Sequence, residues 1–130
     1  MGTYVLDTHP LVWFLDGDPK LSKKADHILR DRESRLIIPT IVLAEIKYLF
    51  SRKRIRVSFE RILEKAEGDE RVKIHPFDVS CIDKLNPSLD LHDGIIVATA
   101  IIFRETFDPK TALVTKDRKI TASGLIHTVW

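Results

Sequence analysis

With 130 residues, 44% hydrophobic and 31% charged, the chain has the make-up of one ordinary folded domain spanning 1–130, which excludes a disordered or fibrous protein. A formal net charge of +2 is too small to mark a nucleic-acid binder by itself, since such proteins carry a concentrated basic patch. Cys81 is the only cysteine, which excludes an internal disulfide and a zinc site built on paired cysteines.

In chain order, Tyr4-Val5-Leu6 is a short apolar run ending at Asp7, and Pro10 to Leu15 then predicts a helix with proline at its start. Asp16-Gly17-Asp18-Pro19 signals a turn, and Ser22 is placed to cap a helix carrying Ala25, Ile28 and Leu29 on one side. Leu36 to Pro39 reads as a strand, with Thr40 expected to cap a helix that runs to about Phe50. Beyond the basic link Arg52 to Arg56, the spacing of Phe59, Ile62, Leu63 and Ala66 predicts another helix, stopped near Gly68 and followed by a strand at Val72 to Ile74. Val79 to Leu85 reads as a short helix ended by Asn86-Pro87. Asp90 then opens a strongly apolar helix from Leu91 to about Phe103, Ala112 to Thr115 is a strand, and Thr128 to Trp130 is a last one. Segments 31–35 and 66–71 are expected as surface connections. Strands alternating with helices predict an α/β fold whose parallel sheet is covered on both faces.

No apolar run approaches the roughly 18 residues of a membrane span, and the N-terminus leads straight into strand-like sequence without a basic and apolar leader. The expectation is a cytoplasmic protein with no membrane attachment.

Four separated carboxylates carry the chemistry. In a parallel α/β sheet, ligands gather beyond the carboxyl ends of the strands, and Asp7 and Asp117 both follow strand segments directly. Glu45 and Asp93 lie in the early turns of helices that are otherwise apolar, where a charge is costly without a partner. Each acid also has a structural reading. Asp7 could cap a helix, Asp93 could act as an acidic capping box behind Asp90, and Asp117-Arg118 could be a polar loop. Together they mean more, because unit charges ~4 Å apart repel by about 4 kcal/mol at an effective dielectric near 20. A shared cleft would need protonation or a divalent cation, and an all-oxygen donor set suits Mg²⁺ or Mn²⁺ acting on a phosphodiester.

The stretch Tyr4-Val5-Leu6-Asp7-Thr8-His9-Pro10-Leu11-Val12-Trp13 resembles the first motif of PIN-domain nucleases, in the branch that begins LDTH. Ile41 to Ile46 is similar to the second motif, Asp90 to Ala100 to the third, and Leu113 to Asp117 to the fourth. The resemblance covers essentially the whole chain. It implies a three-layer α/β/α sandwich, a Mg²⁺ or Mn²⁺ site formed by Asp7, Glu45, Asp93 and Asp117, and endonucleolytic cleavage of RNA. Small single-domain members of this kind are commonly VapC-type toxins, which implies a small antitoxin partner and a homodimer. The resemblance implies substrate contacts from Thr8 and from Thr115, which matches a position whose hydroxyl often supports the site, and Arg52, Lys53 and Arg54 could follow an RNA backbone away from the acids. Gly94 departs from the pattern, since the third motif often has arginine there.

His9 could serve as an acid or ligand, but a histidine at a helix start more often caps or packs; His92, beside Asp93, is rated lower still. Trp13, Phe14, Tyr48 and Phe50 could stack on bases or form a dimer surface, with core packing the default reading. Four other readings compete with a toxin ribonuclease. A phosphatase forming an aspartyl-phosphate wants a second Asp where His9 stands, and a receiver domain wants acids ahead of Asp7. A PIN-like processing nuclease without an antitoxin, or a non-catalytic binding module, would keep the fold but not the toxin role.

Overall fold

In the computed structural model, which describes residues 2–130, five strands form one parallel sheet in the order β3-β2-β1-β4-β5. The strands are β1 (Thr3–Leu6), β2 (Arg35–Pro39), β3 (Val72–His75), β4 (Ala112–Val114) and β5 (Thr128–Val129). Between them run α1 (Thr8–Asp16), α2 (Lys23–Arg30), α3 (Thr40–Ser51), α4 (Phe59–Glu67), α5 (Val79–Asp83), α6 (Leu91–Thr106) and α7 (Arg118–Ser123).

Short β-branched and leucine-rich runs form the central strands because both faces are covered, so apolar residues need not alternate with polar ones. Val5, Leu6, Leu113 and Val114 are at most 1% exposed, and β1 pairs with β2 on one side and β4 on the other. The chain moves outward from β1 through β2 to β3, then returns to β4 and β5 on the other side. Right-handed crossovers therefore put α1–α4 against one face and α5–α7 against the other, giving three layers. The order reverses at β1, so the crevice at the carboxyl ends of β1 and β4 is where such a sheet leaves room for a ligand.

α6 is buried on nearly every side from Gly94 to Ile101, as its apolar sequence requires. Ser22 and Ser58 cap α2 and α4 through their hydroxyls, each accepting an N–H from the third residue on. Both helices end where the sequence turns polar or reaches glycine.

Several local expectations change. α1 begins at Thr8, ahead of Pro10, because Asp7 caps it. Thr40 does not cap α3: it is the first helical residue after Pro39, and its hydroxyl accepts the Phe77 N–H at 3.0 Å instead. Asp90 stands at the N-cap of α6 without a side-chain bond to it. The short α5 ends at Asp83, before Leu85. Residues 118–123 form a helix that the polar sequence did not advertise. Tyr48 and Phe50 are 55% and 43% exposed, so neither packs in the core, whereas Trp13 and Phe14 lie partly buried against it. Segment 31–35 is not wholly a connection, since Arg35 opens β2 and Ser34 is buried with its hydroxyl on the Ile28 carbonyl at 2.8 Å. In 66–71, Ala66 and Glu67 complete α4. No helix among the described residues is long and apolar enough to cross a membrane.

Candidate active site

The parallel register brings Asp7 to the centre of the carboxyl-end crevice. Its N–H donates to the Val114 carbonyl at 3.1 Å, extending the β1–β4 ladder by one step before the chain turns into α1. One carboxylate oxygen accepts the Thr8 N–H at 2.7 Å and thereby caps the helix. The other accepts the Thr115 hydroxyl at 2.7 Å. The capping and the active-site readings of Asp7 thus describe one residue in one conformation.

Thr115 is 1% exposed and joins two of the predicted acids. Its oxygen also accepts the Asp117 N–H at 3.0 Å, while Asp117 Oδ1 accepts the Ile120 N–H at 3.0 Å. The Asp117-Arg118 segment is therefore a helix start and not a loop. Asp117 is half-buried, close enough for its charge to act on Asp93.

On the other side of the crevice, α3 presents Glu45 and the first turn of α6 presents His92 and Asp93. His92 Nε2 lies 3.1 Å from Glu45 Oε1, and Nδ1 lies 3.7 Å from Asp93 Oδ1. The side chains of Glu45, His92 and Asp93 are 30%, 32% and 19% exposed, so the rim is half-wet and the floor is dry. Asp93 does not close a capping box on Asp90; its carboxyl turns toward His92 and the other acids.

The electrostatics divide the acids into two kinds. Burial raises the pKa of Asp7 despite the opposing hydrogen bonds from Thr115 and Thr8, and the nearby Glu45 charge adds to the rise. Burial also raises Asp93, reinforced by the charges of Asp117 and Asp7. Glu45 is lowered, chiefly by its hydrogen-bonding contact with His92, and His92 is raised by the same contact. Glu45 and His92 thus favour each other's charged form, while burial disfavours the charged forms of Asp7 and Asp93. The sequence shows His92 only beside Asp93 and gives no sign of its second partner. The partner, Glu45, is 47 positions away and reaches it only through the packing of α3 on α6.

These residues fit a hard divalent cation. The donors are carboxylate oxygens, burial disfavours the ionised form of two of them, and the buried Thr8 hydroxyl facing Glu45 lacks a hydrogen bond of good geometry. Among the described residues, the group of potential ligands that closes within 4.8 Å is a different one, His75, Asp78 and Cys81. The four acids line the crevice as a wider ring, no three of them closing to that distance.

Beside this ring, His9, Trp13, Lys20, Arg54 and Arg56 line a groove of about 690 Å³. His9 is exposed and its ring lies tilted at 46° to that of Trp13 with centroids 5.6 Å apart, and Lys116 lies over the Trp13 ring at 5.8 Å. Of the three basic residues singled out, Arg54 faces the groove, Arg52 lies over the Tyr48 ring at 4.6 Å, and Lys53 is exposed in a left-handed turn with φ 60°.

A family model described as "PIN domain" matches residues 4–123. Three solved structures share the fold. VapBC2 from Rickettsia felis, bound to a DNA fragment from the pair's promoter, is 19% identical over 98% of this chain and 97% of that chain, with a TM-score of 0.65. DNA-bound VapBC from Salmonella typhimurium is 19% identical over 99% and 98%, with a TM-score of 0.63. VapBC-1 from nontypeable Haemophilus influenzae is 18% identical over 98% and 96%, with a TM-score of 0.61. No curated protein matches the sequence.

Proposed function

Because the chain belongs to the PIN-domain family, we propose that it is a divalent-metal-dependent endoribonuclease and the toxin of a toxin–antitoxin pair. The observation that carries this reading is the convergence of Asp7, Glu45, Asp93 and Asp117 at the switch point of the sheet, with the charged forms of Asp7 and Asp93 both disfavoured by burial. Asp7 and Asp93 would hold a Mg²⁺ or Mn²⁺ ion, with Glu45 as a third ligand or a base and Asp117 further out. When bound, such an ion supplies positive charge to the scissile phosphate and acidifies the attacking water.

The protein's own groups do the rest. Thr115 fixes the carboxylate of Asp7 and, by accepting the Asp117 N–H, the start of α7. His92 keeps Glu45 ionised and turned into the crevice. Thr8, at the positive end of α1, offers a hydroxyl on the same side. The groove with Arg54, Arg56, the exposed His9 ring and the half-buried Trp13 suits a single-stranded chain that leaves the acids with its phosphates on the arginines and a base on the rings.

Three solved structures of the same fold are VapBC pairs, which supports a protein partner for this chain as well. Val79 and Ile82 on α5 and Leu91 at the start of α6 are 79%, 53% and 70% exposed, an apolar surface available to such a partner or to a second copy. The test is cleavage of a panel of unrelated RNAs by protein freed of any bound partner. Cleavage that needs Mg²⁺ or Mn²⁺ and disappears in Asp93→Asn is expected. Uncut RNA under all these conditions would sink the enzymatic reading.

A further inference from the structure

A second set of donors lies at the exit of β3, on residues for which the proposed nuclease chemistry has no use. His75 ends β3, Asp78 caps α5, and Cys81 sits one turn into that helix. One ligand atom from each lies within 4.8 Å of the other two. We propose that His75, Asp78 and Cys81 form a binding site for a borderline transition-metal cation, with Zn²⁺ the best match.

The donor chemistry selects the ion. A thiol sulfur and an imidazole nitrogen disfavour Mg²⁺ and Ca²⁺, and one carboxylate completes the three-residue set found in open zinc sites whose fourth position is left to solvent. A tetrahedral zinc site holds its ligand atoms about 3.5 Å apart, so the group needs a contraction of roughly 1 Å. Asp78 is exposed and can supply it by side-chain rotation. Only one of its oxygens is engaged, accepting the Cys81 N–H at 3.3 Å, so the carboxylate can cap the helix and bind an ion together.

The other two donors are pre-placed. His75 packs edge-on against Phe103 with centroids 5.0 Å apart, and its Nε2 is buried with no hydrogen-bond partner. An unpartnered buried nitrogen is costly unless something binds it. Its burial also lowers the pKa of His75, which favours the neutral, ligating imidazole. Cys81 is fully buried, with its sulfur only 3.8 Å from the Pro76 carbonyl and 4.0 Å from the Thr99 hydroxyl. Binding converts the thiol to thiolate, its proton passing to solvent, and exchanges these weak contacts for a metal–sulfur bond. The ion would tie the end of an edge strand to α5 and, through Cys81 and Thr99, to the middle of α6.

The test uses the full chain, stripped with chelator and titrated with Co²⁺ and then Zn²⁺. One equivalent of Co²⁺ should give a thiolate-to-cobalt charge-transfer absorption that Zn²⁺ abolishes by displacement. The absorption should be absent in Cys81→Ser and intact in Asp93→Asn. Because Cys81 is buried, two milder variants guard against misfolding: His75→Gln, and Asp78→Asn, which keeps a capping oxygen. Each should weaken Zn²⁺ by more than the ~10-fold that loss of a ligand's hydrogen-bond partner costs, and each should lose the rise in Tm that Zn²⁺ gives the parent chain. No charge-transfer band, or Zn²⁺ binding unchanged in the His75 and Asp78 variants, overturns the site. RNA cleavage in Mg²⁺ is a separate measurement, so failure of either proposal leaves the other standing.

Discussion

Replacing Thr115 by valine tests the arrangement of the crevice most directly, because one buried oxygen holds two of the acids. The substitution keeps the branched shape but deletes the bond to Asp7 at 2.7 Å and the acceptor for the Asp117 N–H at 3.0 Å. A hydrogen bond to a charged acceptor contributes about 1.5–3 kcal/mol and a neutral one about 1. The Asp7 carboxylate keeps its bond from Thr8, so the lower part of the charged range applies. The expected loss is about 2–3 kcal/mol, which at this chain length is a Tm lower by roughly 8–12 °C. Asp7 should also become harder to ionise, since the Thr115 hydroxyl is the largest influence opposing the rise caused by burial. Calorimetric titration with Mn²⁺ should then show affinity reduced ~10–100-fold, with RNA cleavage reduced in step. A Thr115→Val protein that melts with the parent and binds Mn²⁺ equally would refute the claim that Thr115 positions Asp7.

Asp93→Asn should raise the Tm of cation-free protein at pH 7 while costing more than ~100-fold in RNA cleavage, read by thermal scan and gel assay. The sign follows from a folded-state pKa above the ordinary value: the ionised Asp93 disfavours the native state at any pH above its unfolded pKa. Arg71 donates to the Leu29 and Asp31 carbonyls at 3.0 and 2.7 Å and pairs with Asp69 at 2.9 Å, so Arg71→Ala should cost about 2 kcal/mol by urea unfolding. Asp69 is held below the ordinary carboxylate range chiefly by the Arg71 side chain. That part of the stability is present above about pH 4 and is lost as pH falls through the folded-state pKa, so the gap between parent and Arg71→Ala should shrink in acid. Gly94→Ala should stabilise α6 by up to ~1 kcal/mol, because an added Cβ meets only Leu85 Cδ2 at 3.5 Å and the Asn86 carbonyl at 3.8 Å; an equal or lower urea midpoint would contradict this.

The legible parts of the chain were those where pattern and position agree. The apolar runs around Val5, Ile37 and Leu113 could only be buried strands of a covered sheet, and that places the residues after them at its carboxyl edge. Asp7 and Asp117 were found by that rule. Glu45 and Asp93 stood out as charges on otherwise apolar helices. What stayed hidden depended on distant packing. The Glu45–His92 pair exists only because α3 meets α6. Thr40 reads as a cap until β3 leads the chain back to bring the Phe77 N–H to its hydroxyl. α7 is six residues long, too short for its one buried anchor, Ile120, to set up a periodicity. Tyr48 and Phe50 look like core by type, and only the seating of α3 decides which of its apolar residues face outward.

The two roles of Asp7 bear on how such a chain would change if it stopped cutting RNA. A capping side chain at that position starts α1 whether or not the crevice is used, so Asp7 answers to a structural constraint that Asp93 lacks and is the poorer sign of a working nuclease. Asp93 caps nothing, and its charge burdens the fold. A lineage released from selection on cleavage would shed it early. Among related chains, an intact Asp93 is therefore the better marker for separating active enzymes from inert descendants.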